Sequence, residues 1–87
     1  MRILLVEDDE LLGDGILVGL KQHNHVVDWV KDGISAEQAL EVENFDMVIL
    51  DLGIPRKDGI DVVTTIRKKE NHTPVLILTA RDTTDDL

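Results

Sequence analysis

Short apolar runs alternate along the chain with stretches in which apolar residues recur every three to four positions. Residues 1–6 (MRILLV) form a nearly unbroken run, the pattern of a strand buried on both faces, here β1. From about Asp9, Leu11, Leu12, Ile16 and Leu20 make a helical stripe behind acids that favour the helix N-terminus, predicting α1 to near Asn24. Residues 25–30 mix apolar and polar positions as an edge strand does, giving β2, and Asp32-Gly33 turns the chain into α2 through Ala36, Ala39 and Leu40. Met47–Leu50 is a second buried run, β3, ending on Asp51 and followed by an irregular loop over residues 52–57. Asp58 and Asp61 resemble a capping box opening α3, with Val62, Val63 and Ile66 as its buried stripe and Arg67-Lys68-Lys69 as its solvated basic end. Residues 75–80 (VLILTA) repeat the design of β3 as β4, with the polar Thr79 near the C-terminal end.

This order, βαβαβαβ, combined with right-handed crossovers, predicts an α/β fold with a doubly wound parallel sheet and helices on both faces. Ligands of such sheets bind outside the carboxyl ends of the strands. At 87 residues the chain forms one small domain, and domains of this size bury only about 60% of their unfolded surface. A hydrophobic content of 43% argues against disorder, while a net charge of −9 disfavours non-specific nucleic-acid binding and leaves self-repulsion that a cation would relieve. With no cysteine there are no disulfides or thiolate metal sites. No secretory leader and no run approaching the roughly 18 apolar residues of a membrane span is present, which predicts a cytoplasmic address and no membrane partner.

The acids Glu7, Asp8, Asp9 and Glu10 stand in one row at the end of β1. Asp9 and Glu10 are accounted for by the helix start. The topology brings Glu7 and Asp8 beside Asp51 at the end of β3 and Thr79 at the end of β4, so three carboxylates share one crevice. Unit charges 4 Å apart repel by roughly 4 kcal/mol at an effective dielectric near 20, so the crevice either protonates or holds a cation. Hard oxygen ligands favour Mg²⁺, held by one or two carboxylates and a loop carbonyl, for which Gly53 is placed. Asp51 is the candidate nucleophile toward a phosphoryl group, and the Thr79 hydroxyl could donate to that group and couple its charge to the shape of the β4 end.

Other polar residues receive plainer assignments. Asp58-Gly59 caps α3, with Gly59 a turn residue. His23, His25 and His72 are scattered and exposed, with no zinc-like spacing. Trp29 is packing, and Arg56-Lys57 either meets an acidic partner or balances the charge of the crevice.

The stretches VEDD after the first strand, VILDLGIPRKDG around Asp51, and PVLILTARD resemble the receiver domain of bacterial two-component response regulators. The likeness covers the whole chain. Within the family it is similar to the OmpR/PhoB branch of transcription factors, and to regulators of the QseB and PmrA kind. The resemblance implies a CheY-like (flavodoxin-like) sheet of order 2-1-3-4-5, with Asp51 as phosphoacceptor and a sensor histidine kinase as partner. It also implies Mg²⁺ bound directly by Asp8 and Asp51, by Glu7 through water and by the Gly53 carbonyl, with Thr79 as switch hydroxyl. The family pattern continues with a helix, a fifth strand bearing a phosphoryl-pairing lysine, a switch aromatic and a last helix, and in this branch with a DNA-binding domain. None of these has a counterpart in residues 1–87.

Residues 82–87 carry a helix start signal at the very end of the chain. Residues 1–87 therefore read as a C-terminally truncated receiver domain, incomplete after the fourth strand, with any DNA contact made through an absent domain. Two alternatives stand beside the phosphoacceptor reading. One is a non-switching fragment that self-associates through an exposed β4 edge. The other is a metal-dependent phosphohydrolase, disfavoured because Gly53 occupies the place where such chemistry usually sets a second acid. The family itself implies a switch with at most self-phosphorylation and autodephosphorylation, and no conventional enzyme.

Overall fold

A computed structural model describes residues 1–78. The elements follow in the order β1 (Arg2–Val6), α1 (Glu10–Gln22), β2 (Val26–Val30), α2 (Gly33–Val42), β3 (Met47–Leu50), α3 (Gly59–Lys68) and β4 (Val75–Ile77). The strands form one parallel sheet in the order β2-β1-β3-β4. Strand order reverses between β1, whose chain next goes outward to β2, and β3, which lies on its other side. The crevice of a doubly wound sheet opens at that reversal.

Alternation along β1 divides the core. Leu4 and Val6 face α2 and α3 in a cluster with Ala36, Leu40, Phe45, Val48, Leu50, Ile54, Val62 and Ile66. Ile3 and Leu5 face α1 with Ile49, joined by the partly buried Ile16, Leu20, Val27 and Trp29. Residues Ile3 to Val6 are completely shielded from solvent, which is why this strand reads as an unbroken apolar run.

Each helix opens on an aspartate. Asp9 Oδ1 accepts from the N–H groups of Leu11 and Leu12, Asp32 Oδ1 from that of Ser35, and Asp58 Oδ1 from that of Asp61. The side chain of each thus satisfies amides that have no partner inside the helix. α1 closes at Gln22, and Asn24 turns the chain out with φ 67°.

Four sequence expectations change. In α1, Leu11 is 86% exposed and Leu12 50% exposed, and the buried residue is Gly13. Because Gly13 lets the helix approach Trp29, the inward line runs through residues 13, 16 and 20. At 100° per residue this turns Leu11 nearly to the opposite side. β4 covers Val75–Ile77, with Leu76 and Ile77 about half exposed where the sequence predicts a buried repeat of β3, and positions 79 and 80 of the expected run lie outside the described residues. Arg67 is not a solvated helix end: its Nη1 donates to the carbonyls of Asn71 and Thr73 at 2.9 Å each and ties the α3–β4 connection to the helix. Gly59 is the buried first residue of α3, where a Cβ would lie 2.9 Å from Leu52 Cα, so it serves close packing rather than a turn.

Candidate functional site

The ladder hydrogen bonds of the sheet continue one residue beyond the strands and place the acids. The Asp51 N–H donates to the Val6 carbonyl at 3.0 Å, and the Glu7 N–H to the Val30 carbonyl at 3.1 Å. Glu7, Asp8 and Asp51 consequently converge, each offering a carboxylate oxygen within 4.8 Å of the others. This juxtaposition follows from β3 lying beside β1 in the sheet.

Their environments differ. Glu7 is 1% exposed, Asp51 half-buried and Asp8 exposed. Glu7 Oε2 accepts from the Asp9 N–H at 3.0 Å, whereas the buried Oε1 has no hydrogen-bond partner among the described residues. Burial, and then the charges of Asp51 and Asp8, push the Glu7 carboxyl above its ordinary value, against the lowering effect of the Asp9 amide. Asp51 Oδ1 accepts from the Gly53 N–H at 3.1 Å, which folds the loop back over the strand end.

A buried carboxylate oxygen without a donor, facing two further carboxylates, is satisfied either by a proton shared with Asp51 or by a hard divalent cation. The donor set is all oxygen, which suits Mg²⁺ and excludes a thiophilic ion. Gly53 is exposed at the lip of the crevice, its amide already used by Asp51. Thr79 lies outside the described residues.

The basic pair of the following loop is engaged. Arg56, in a left-handed conformation with φ 72°, bridges Asp32 at 3.3 Å. Lys57 bridges Glu37 at 2.5 Å and donates to Thr65 Oγ1 at 2.8 Å. The Gly33 N–H donates to the Pro55 carbonyl, and a Cβ on Gly33 would overlap the Lys57 carbonyl oxygen. The loop after Asp51 is thus strapped to the N-terminus of α2. Among the described residues Arg56 and Lys57 thus pair with acids at α2 rather than with the acids of the crevice. His23 and His72 are exposed and His25 is partly buried; Nδ1 of His25 lies 3.2 Å from the terminal amine, far in sequence from the acids.

Trp29 does more than pack. Its Nε1–H donates to the Glu7 carbonyl at 2.9 Å. A signal was available in the sequence, since an indole set in an apolar strand needs an acceptor for its N–H.

Comparison with known proteins places the geometry in a family. The sequence model of the response regulator receiver domain matches residues 3–87. The response regulator protein PmrA of Pseudomonas aeruginosa is 52% identical over 86 residues, covering 99% of this chain and 39% of that protein. The transcriptional regulatory protein QseB of Haemophilus influenzae is 48% identical with the same coverage. The chain therefore spans about two fifths of the length of these relatives. A receiver domain of a sensor histidine kinase from Pseudomonas aeruginosa PAO1, solved with a magnesium ion coordinated in its active site cleft, superposes with a TM-score of 0.88 at 34% identity, over 91% of this chain and 66% of that one. The chain belongs to the response regulator receiver domain family, in the company of PmrA- and QseB-type regulators.

Proposed function

We propose that this chain is a phosphoacceptor switch in which Asp51 takes a phosphoryl group from a sensor histidine kinase at a Mg²⁺ site formed by Glu7, Asp8, Asp51 and the Gly53 carbonyl. The observation that carries this is the convergence of the three carboxylates around a buried Glu7 oxygen with no donor. Bound Mg²⁺ would neutralise charge on the acids and on the transferred oxygens. The Gly53 amide donates to Asp51 Oδ1 and helps to hold the attacking carboxylate in place. As the new O–P bond forms, the P–N bond to the kinase imidazole breaks and its electron pair leaves on the ring nitrogen, which takes up a proton. Strapping of the following loop by Arg56 and Lys57 holds Asp51 still while this occurs. Thr79 is the hydroxyl proposed to meet the phosphoryl group and transmit its presence.

The names and lengths of the relatives support a transcriptional regulator as the whole protein, with residues 1–87 as its receiver portion, DNA contacts made elsewhere and action in the cytoplasm. No helix among the described residues is long and apolar enough to cross a membrane.

The deciding experiment is the intact mass after incubation with Mg²⁺ and acetyl phosphate. One phosphoryl adduct is expected, absent in Asp51→Asn and absent with chelator. An adduct persisting in Asp51→Asn would overturn the assignment.

A further inference from the structure

The four-acid row at the end of β1 is held from outside by two side chains, Trp29 at Glu7 and Lys31 at Glu10. Trp29 pairs with Leu5 in the β1–β2 register and lies on the α1 face of the sheet. Glu7 stands two residues further along, roughly 7 Å at the rise of a strand. Spanning that gap while staying in apolar contact takes a long side chain with a donor at its far end, and the indole provides one. With the Glu7 N–H on the Val30 carbonyl and the Glu7 carbonyl on Trp29 Nε1, both backbone polar groups of this residue are fixed by β2.

The ring is itself enclosed. A Cβ at position 13 would overlap it, so Gly13 allows the first turns of α1 to close onto the indole. Lys31 lies 4.9 Å from the ring centroid and pairs with Glu10. Residues 7 to 10 are thereby tied down at Glu7, at Asp9 through its cap and at Glu10 through Lys31. Asp8 alone among the four has no hydrogen bond or ion pair among the described residues, so the backbone held by its neighbours sets the place from which its carboxylate reaches the crevice.

We infer that Trp29 is a positioning residue of the acidic site, its indole N–H fixing the Glu7 backbone so that Glu7 and Asp8 present oxygens in the geometry an octahedral cation requires. Partners of this kind, one bond removed from the ligands, orient metal sites elsewhere. The inference rests on the Mg²⁺ reading of the crevice. It makes a demand that mere packing would not: Mg²⁺ insists on near-ideal octahedral geometry, whereas Ca²⁺ accepts a loose and variable shell. Loss of the N–H should therefore harm Mg²⁺ selectively.

The test is calorimetric titration of Mg²⁺ and of Ca²⁺ into three forms of the chain: unsubstituted, Trp29→Phe, and a semisynthetic form with 3-benzothienylalanine at position 29, which keeps the bicyclic shape and replaces only the N–H by sulfur. In the sulfur analogue the Mg²⁺ dissociation constant should rise about 3- to 10-fold, the worth of one hydrogen bond, with Ca²⁺ changing less than about 2-fold. Trp29→Phe should shift the ratio in the same direction. An unchanged Mg²⁺/Ca²⁺ ratio in the folded analogue overturns the inference while leaving the metal site intact. An analogue that does not fold overturns it too, since the donor then serves the fold. No Mg²⁺ binding by the unsubstituted chain removes the metal reading and this inference with it.

Discussion

Glu7 concentrates the conflict of the site in one residue. It is buried at the end of a strand with two carboxylates for neighbours, and one of its oxygens has no donor among the described residues. Its carboxyl is raised by burial first and by Asp51 and Asp8 next. Without a cation, ionising it at neutral pH works against the fold. Glu7→Gln should therefore melt at higher temperature than the parent in chelator at pH 7, and should bind Mg²⁺ more weakly by calorimetry. A lower melting temperature for the metal-free variant would show that Glu7 is not strained in the free chain. Asp51, the other acid at a strand end, accepts from the Gly53 N–H as Glu7 accepts from the Asp9 N–H. That the two acids would meet was legible in the sequence, since each ends an apolar run. That Glu7 would be the shielded one was not, because burial at a strand end depends on what β2 and α1 lay over it.

At the scale of elements, the aspartate caps do most of the local specification. Asp32 combines three tasks: it caps α2, accepts from the Ser35 hydroxyl and receives Arg56 from the loop after the phosphoacceptor candidate. The Ser35 backbone amide, and further the Ser35 hydroxyl and Arg56, hold its carboxyl below the ordinary value despite partial desolvation. The sign follows directly. A depressed carboxylate stabilises the fold at pH values above its unfolded pKa, and that contribution fades as pH falls through the ordinary carboxylate range toward the folded value. Asp32→Asn retains an N-cap but cannot titrate. Its stability relative to the parent should accordingly be lowest near neutrality and recover on acidification, measured by urea unfolding from roughly pH 7 down to pH 3. A pH-independent difference would detach the loop strap from the charge of Asp32. The caps were visible as Asp residues at helix starts. The pairing of Asp32 with Arg56 was not, because it joins residues 24 apart that only the α2–loop contact brings together.

For the molecule as a whole, the net charge of −9 and the cluster of carboxylates leave a self-repulsion that a bound cation would relieve. A ligand that binds only the folded state adds about 2.7 kcal/mol at a concentration 100 times its dissociation constant. For a domain near this size, that corresponds to a rise in melting temperature of roughly 10 to 20 °C. Mg²⁺ should produce it at constant ionic strength, and Asp8→Ala should largely abolish it. Equal rises in the two proteins would mean general charge screening instead of a site.

What the sequence by itself determined were the elements, their parallel order and the strand ends at which Glu7, Asp8 and Asp51 meet. The elements and the parallel sheet follow from local periodicity and from the handedness of crossovers, which act within a few residues or within one strand–helix unit, whereas the order that sets β1 beside β3 is implied by the family resemblance of the motif stretches. Only the tertiary structure decided which side of α1 turns inward, through the contact of Gly13 with Trp29, and how the loop after Asp51 is strapped to α2. It likewise decided that the Trp29 indole reaches the Glu7 carbonyl. Those outcomes depend on distances between residues far apart in the chain, set by close packing of a particular helix on a particular strand, and no local pattern encodes them.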